Sequence, residues 1–140
     1  MNLYFSDFSI RMERGIDIKD ITQILKDTVS KSNIKDGVLH VTSIGSTGSI
    51  TTIEYEPGVV EDLKRAINEI APPDRFYEHE KTWHDGNGHS HVQAAIIGPS
   101  ISLSIRNGKL ILGTWQQVVL INHDIHPRDR KITVTILGSN

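Results

Sequence analysis

Ile101-Ser102-Leu103-Ser104-Ile105-Arg106-Asn107-Gly108-Lys109-Leu110 is the stretch that decides the fold. Ile101, Leu103 and Ile105 fall on every second position, the period of a strand with one buried face. Asn107-Gly108 then supplies a two-residue hairpin connection that favours positive φ, so the next strand returns antiparallel. Working outward, residues 110–121 and 131–137 read as further strands. On the other side, residues 92–97 (Val-Gln-Ala-Ala-Ile-Ile) form an apolar run read as a strand entering the core.

The first part of the chain mixes types. Residues 3–10, 38–44 and 50–55 read as strands. Asp17 resembles a helix N-cap with Asp20 in the first turn, and Ile18, Ile21, Leu25 and Val29 follow at helical spacing until Asn33 to Gly37 ends the element. Pro57-Gly58 opens a second helix carrying Val59, Leu63, Ala66, Ile67 and Ile70, and Pro72-Pro73 stops it. Early strands and helices followed by a β block predict an α+β fold. It is expected to be mostly antiparallel, with two helices packed on one sheet face.

Composition narrows the function. A length of 140 residues fits a single domain spanning 1–140 with a real core. Fifteen basic against 17 acidic residues leave a net charge of −2, which offers no general footprint for nucleic acid. The absence of cysteine excludes thiolate metal sites and disulfides. No signal pattern opens the chain and no apolar run approaches spanning length, so a cytoplasmic protein without membrane or nucleic-acid partners is expected.

The polar loop of residues 74–90 ends in Trp83-His84-Asp85-Gly86-Asn87-Gly88-His89-Ser90-His91. If the last residues are extended, His89 and His91 point to one side, and His84 reaching in would complete three corners of a zinc tetrahedron. Asp85, Asn87 or Glu54 can orient the rings. A solvated histidine-rich loop is the alternative reading. Gly45-Ser46-Thr47-Gly48-Ser49 can present backbone N–H groups to an anion, or be a plain turn. Glu54 and Glu56 bracket Tyr55, a carboxylate pair or a solvated edge. Asp124, His126, Arg128 and Arg130 precede the last strand, where guanidinium forks suit phosphate. Gln116 stands where core is expected, which requires buried partners for its carboxamide.

Asn87 to His91, Gly98-Pro99-Ser100, the run Asn107-Gly108-Lys109-Leu110-Ile111-Leu112-Gly113-Thr114-Trp115-Gln116, and Asp124 with Pro127-Arg128-Asp129-Arg130 resemble the YjbQ family, described as secondary thiamine-phosphate synthases. The resemblance spans nearly the whole chain, including Thr47, Ile53-Glu54 and Asp62-Leu63. It implies a small α+β homotrimer with a polar pocket near subunit contacts. It also implies a reaction that joins a pyrimidine methyl pyrophosphate to a thiazole phosphate with loss of pyrophosphate. Matching positions are Glu54, Asn87, His91, Trp115, Gln116, Arg128 and Arg130. Where many members carry histidine-threonine-threonine, this chain has Gly45-Ser46-Thr47.

The expectation is a metal-dependent enzyme acting on a phosphorylated small molecule. His84, His89 and His91 would hold a divalent metal, zinc first. Ser46, Thr47, Trp115, Arg128 and Arg130 would bind substrate, the two arginines as phosphate clamps. Glu54 would act as acid/base, with Asn87 and Gln116 orienting the substrate. The alternative is a non-catalytic metal- or ligand-binding trimer.

Overall fold

Asn107 and Gly108 take φ values of 51° and 75°, and the chain reverses there so that Arg106 pairs with Lys109 and Ile105 with Leu110. Positive φ at both central positions matches the twist of the flanking strands, so the hairpin expected at this point forms. The structure, a computed structural model, describes residues 1–140. Its strands are β1 (Asn2–Met12), β2 (Asp17–Asp20), β3 (Asp36–Ile44), β4 (Gly48–Ile53), β5 (Ser100–Arg106), β6 (Lys109–Leu110), β7 (Gln117–Asn122) and β8 (Arg128–Ser139). Its helices are α1 (Thr22–Ser32), α2 (Pro57–Ile70) and α3 (Gly88–Ile97), with a 3-10 turn at Glu78–Lys81. None is long and apolar enough to cross a membrane.

Every strand pairing is antiparallel. One sheet runs β1-β8-β3-β5-β6 and the other β2-β7-β4. The smaller sheet is the middle layer. On β7, Val118 and Leu120 join the main core with Leu39, Val41, Ile132, Val134 and Ile136 of the larger sheet and Leu25 and Val29 of α1. Val119 and Ile121 point the other way, to Ile18, Ile67 of α2 and the partly buried Ile97 of α3. A strand buried on both faces loses the polar/apolar alternation of a half-exposed one, which is why residues 118–121 read as a continuous apolar run.

The α+β class with mostly antiparallel sheets is what the structure has. The helices number three, and they divide between the two faces of the smaller sheet. Three local differences follow from tertiary context. Residues 92–97 lie in α3, because the backbone N–H groups of Ser90 and His91 turn back onto the Asn87 carbonyl and start a helix. A short run rich in β-branched residues has no period that separates helix from strand. Asp17–Asp20 pairs with β7 as β2 and does not start a helix. α1 begins at Thr22, whose N–H and hydroxyl both donate to Asp20 Oδ1 at 2.9 and 2.6 Å. The expected strand at 110–121 is interrupted between β6 and β7, where Gly113 N donates to Gln116 Oε1 at 3.0 Å.

Other elements form as expected. Asn33 closes α1 in the left-handed region at φ 59°. Pro57 occupies the first turn of α2, and the Glu56 carboxylate caps it by accepting from Gly58 N and Val59 N.

Candidate functional site

The ends of β3, β4 and β7, the start of β8 and the first turns of α3 meet around a buried polar cluster: Ser43, Thr47, Ser49, Asn87, His89, Ser90, Gln93, Asn122, His123, Asp124 and Arg130. Buried polar groups require partners, and most of these find them in one another. Arg130 Nη2 donates to Thr47 Oγ1 at 2.6 Å and to Asn122 Oδ1 at 2.5 Å. Thr47 passes its own hydroxyl proton to Asp124 Oδ2 at 3.1 Å. Arg128 Nε donates to the same oxygen at 3.0 Å, with Nη2 2.9 Å away.

His123 sits deeper. Gln93 uses its Nε2 to donate to Asn68 Oδ1 and the Ala71 carbonyl, leaving its Oε1 to accept from His123 Nδ1 at 3.0 Å. His123 Nε2 is then the free lone pair that accepts from Ser49 Oγ at 2.7 Å. Burial pushes the His123 pKa down to about 4, helped by the Arg130 and His89 charges, so the ring is neutral near pH 7. Burial also lowers His89, against the opposing pull of Glu80 and Asp124. For Asp124 burial pushes upward, but hydrogen bonds from Thr47 and Arg128, the Arg128 charge and a hydrogen bond from Asn87 outweigh it and hold the carboxyl below its ordinary value. Burial lowers the pKa of Arg130, with Asp124 opposing and Arg128 reinforcing the shift.

One atom of this network lacks a partner on the cationic side. Arg130 Nε is buried without a hydrogen bond, and a Cβ on Gly48 would stand 3.2 Å from it. Gly45, Ser46 and Gly48, with His91, Ala94, Ala95 and Pro99, line a cleft of about 240 Å³. A larger cleft of about 430 Å³ lies elsewhere, between Lys26, Val29, Ser30, Gly108, Lys109 and Leu110. It holds no carboxylate, imidazole or buried polar group, whereas the smaller one adjoins the buried cluster through Gly48, which lies beside Arg130.

The residues expected to act together separate into two groups. Ser46, Thr47, Asn87, His89, His91, Arg128 and Arg130 gather at the end of β4 that starts at Gly48. Glu54, Trp115 and Gln116 lie at the other end, where Gln116 Nε2 donates to Thr52 Oγ1 at 3.1 Å and all three side chains are exposed. Gln116 is therefore a turn residue and not a buried carboxamide. Glu56 is committed to the α2 cap and forms no pair with Glu54.

His84, His89 and His91 do not converge on one point. In a helix, positions two apart face nearly opposite directions, so the strand geometry that would align His89 with His91 does not apply. His89 is buried beside Ser90, His91 stacks on His79 with centroids 4.5 Å apart, and His84 is exposed at φ 55°. The set with mutually close ligand atoms is His79, Glu80 and Asp85. Sequence reasoning missed His79, His123 and Gln93; the signal for the last was a carboxamide inside an apolar run.

Two stacked antiparallel sheets, with helices on both faces of the smaller one and a buried arginine–aspartate–histidine cluster at one end, define a small α+β protein with a cleft beside that cluster. Residues 6–139 match the family described as UPF0047 protein YjbQ-like, and the chain belongs to that YjbQ family. It is 32% identical over 138 residues to a UPF0047 protein of Methanothermobacter thermautotrophicus, covering 99% of this chain and 94% of that one. It is 35% identical to the YjbQ protein of Salmonella typhimurium, over 75% of this chain and 76% of the relative. Among solved structures, a YbjQ-like protein of unknown function from Sulfolobus solfataricus superposes with a TM-score of 0.94 at 36% identity, covering 99% of each chain.

Proposed function

We propose that the protein is an enzyme acting on a phosphorylated small molecule, which it binds through the Gly45–Gly48 loop and Arg128 above the buried Arg130. The carrying observation is the charge balance of the cluster. The single carboxylate of Asp124 pairs directly with Arg128 and is linked to Arg130 through the Thr47 hydroxyl, and Arg130 is buried with Nε unpartnered. The surplus positive charge beside a hydroxyl- and glycine-lined loop suits a phosphate or a departing pyrophosphate. The transfer implied by the family resemblance, pyrimidine methyl pyrophosphate onto thiazole phosphate, is the candidate reaction. A divalent metal, zinc first, and a cytoplasmic location belong to the same reading.

The separation of the two groups along β4 bears on assembly. Seven residues of extended chain put Glu54 roughly 20 Å from Thr47, so one chain does not bring Glu54 and Gln116 to the cleft. A homotrimer joined head to tail would set one end of β4 beside the opposite end of a neighbouring copy. Exposed Trp115, Tyr55 and Ile111 at one end and Ile44, Val92 and Ile96 at the other offer apolar surface for that contact. A second reading, a non-catalytic ligand-binding protein, is favoured by the same separation if the copies do not assemble.

Calorimetric titration with inorganic phosphate and pyrophosphate tests the cleft. Arg128→Gln should weaken pyrophosphate binding about 10–100-fold, the value of one charge-assisted contact; unchanged affinity removes the anion site. Product formation from the two thiamine precursors separates enzyme from binding protein. Mixed assemblies of Glu54→Gln and Arg128→Gln chains should regain turnover that neither variant shows alone.

A further inference from the structure

We infer that His79, Glu80 and Asp85 form a divalent-cation site on the flank of the cleft. The assignment gives ligands to the metal of the reading above and rests on that reading for its role, though not for its geometry. The chain builds the site locally. The 3-10 turn presents His79 and Glu80, and His84 N–H returns to the Glu80 carbonyl at 3.2 Å. The left-handed turn at His84 and Gly86 then folds Asp85 back over the imidazole. Asp85 Oδ1 ends 3.3 Å from His79 Nδ1, and Glu80 Oε1 lies 3.7 Å from the same nitrogen.

Those separations are the edges of a coordination polyhedron. Zinc–nitrogen and zinc–oxygen bonds of about 2.0–2.2 Å imply tetrahedral ligand-to-ligand edges of about 3.3–3.6 Å. His79 Nδ1 is buried and makes no hydrogen bond to either carboxylate, although both lie within ion-pair distance. In the Nε2–H tautomer this nitrogen presents its lone pair to the same point as the two carboxylates.

Asn87 orients the carboxylate of the site. The residue is buried, 6% exposed, and its carboxamide N–H donates to Asp85, 2.9 Å from Oδ1 and 3.3 Å from Oδ2. The donor set is then one imidazole nitrogen and two carboxylates, with one carboxylate held in place by a buried carboxamide, a mixture suited to zinc before magnesium. His91 stacks on His79 and also lines the cleft, which joins the cation site to the proposed anion site.

Protein purified without an affinity tag and stripped with chelator is titrated with zinc chloride, manganese chloride and magnesium chloride, with no substrate present. One zinc should bind per chain, more tightly than manganese and far more tightly than magnesium, and should raise the melting temperature. Asp85→Asn and His79→Gln should each weaken zinc at least about 10-fold and abolish the thermal shift, while His84→Gln should leave both unchanged. Glu80→Gln keeps an acceptor for Gly88 N, which donates to Glu80 Oε1 at 3.0 Å, and so removes charge with the fold intact. Zinc affinity unaltered in all three ligand variants, or equal loss in His84→Gln, overturns the site. Phosphate affinity read on Asp85→Asn, and zinc affinity read on Arg128→Gln, keep the failure of the cation site distinct from failure of the anion site.

Discussion

Replacing His123 with glutamine should flatten the acid side of the stability profile. In the folded protein this ring has a pKa of about 4 because burial disfavours its cation, whereas an unfolded histidine titrates near 6.5. Between those values the unfolded chain binds more protons than the folded one, so stability falls as pH falls. The difference of about 2.5 pH units at 1.36 kcal/mol each amounts to about 3 kcal/mol, present above pH 6.5 and gone near pH 4. His123→Gln loses the bonds to Ser49 and Gln93 and should be about 1–3 kcal/mol less stable than the parent at pH 7. Lacking the titration, it should approach the parent as the pH reaches 4. Urea unfolding at half-unit pH steps reads this directly, with the parent midpoint falling about 1–3 M further than the variant midpoint. The lowered His89 contributes in the same direction in both proteins, and in the parent its charge adds to the depression of His123. Parallel curves for parent and variant would refute the claim that a neutral, buried His123 sets this slope.

Two further outcomes follow from the same cluster. Thr47→Val removes the hydroxyl that joins Arg130 to Asp124. It should cost about 1–3 kcal/mol and raise the Asp124 pKa, seen by carbon-detected NMR titration of that carboxyl as acid-side loss beginning at higher pH. Gly48→Ala would put a Cβ 2.8 Å from Ser43 Oγ and 3.2 Å from Arg130 Nε. It should destabilise by about 1–3 kcal/mol in urea unfolding, with a larger effect on phosphate affinity than Gly113→Ala, whose Cβ would meet Gln116 only at ordinary contact distance, 3.6 Å.

The antiparallel sheets were legible because their signals are local: the alternation of residues 101–105, the Asn107-Gly108 turn and the prolines flanking α2. α3 was not, because Val92, Ile96 and Ile97 favour strands as residues while their helix is set by the Asn87 carbonyl and by packing on β4. β2 was missed for a related reason: Ile18 fits a helical spacing with Ile21, and only the pairing with Ile121 shows otherwise. In the site, Arg130 and Thr47 were named from their chemistry and do meet. The Thr47–Arg130 contact spans 83 positions of sequence, beyond any spacing argument. His123 was passed over because a polar residue just beyond an apolar strand reads as loop, and its burial depends on α3 covering it through Gln93.

The double burial of β7 leaves its alignment with β2 and β4 underdetermined by hydrophobicity, since sliding Val118-Val119-Leu120-Ile121 by one step exchanges like for like. What halts the slide is the polar end of the strand. The Asn122 carboxamide grips the Glu13 and His126 carbonyls, and His123 is pinned between Ser49 and Gln93. The buried groups behind the cleft are thus also the bolts that set the ladder, so the chemistry there can drift only as far as the strand keeps its place.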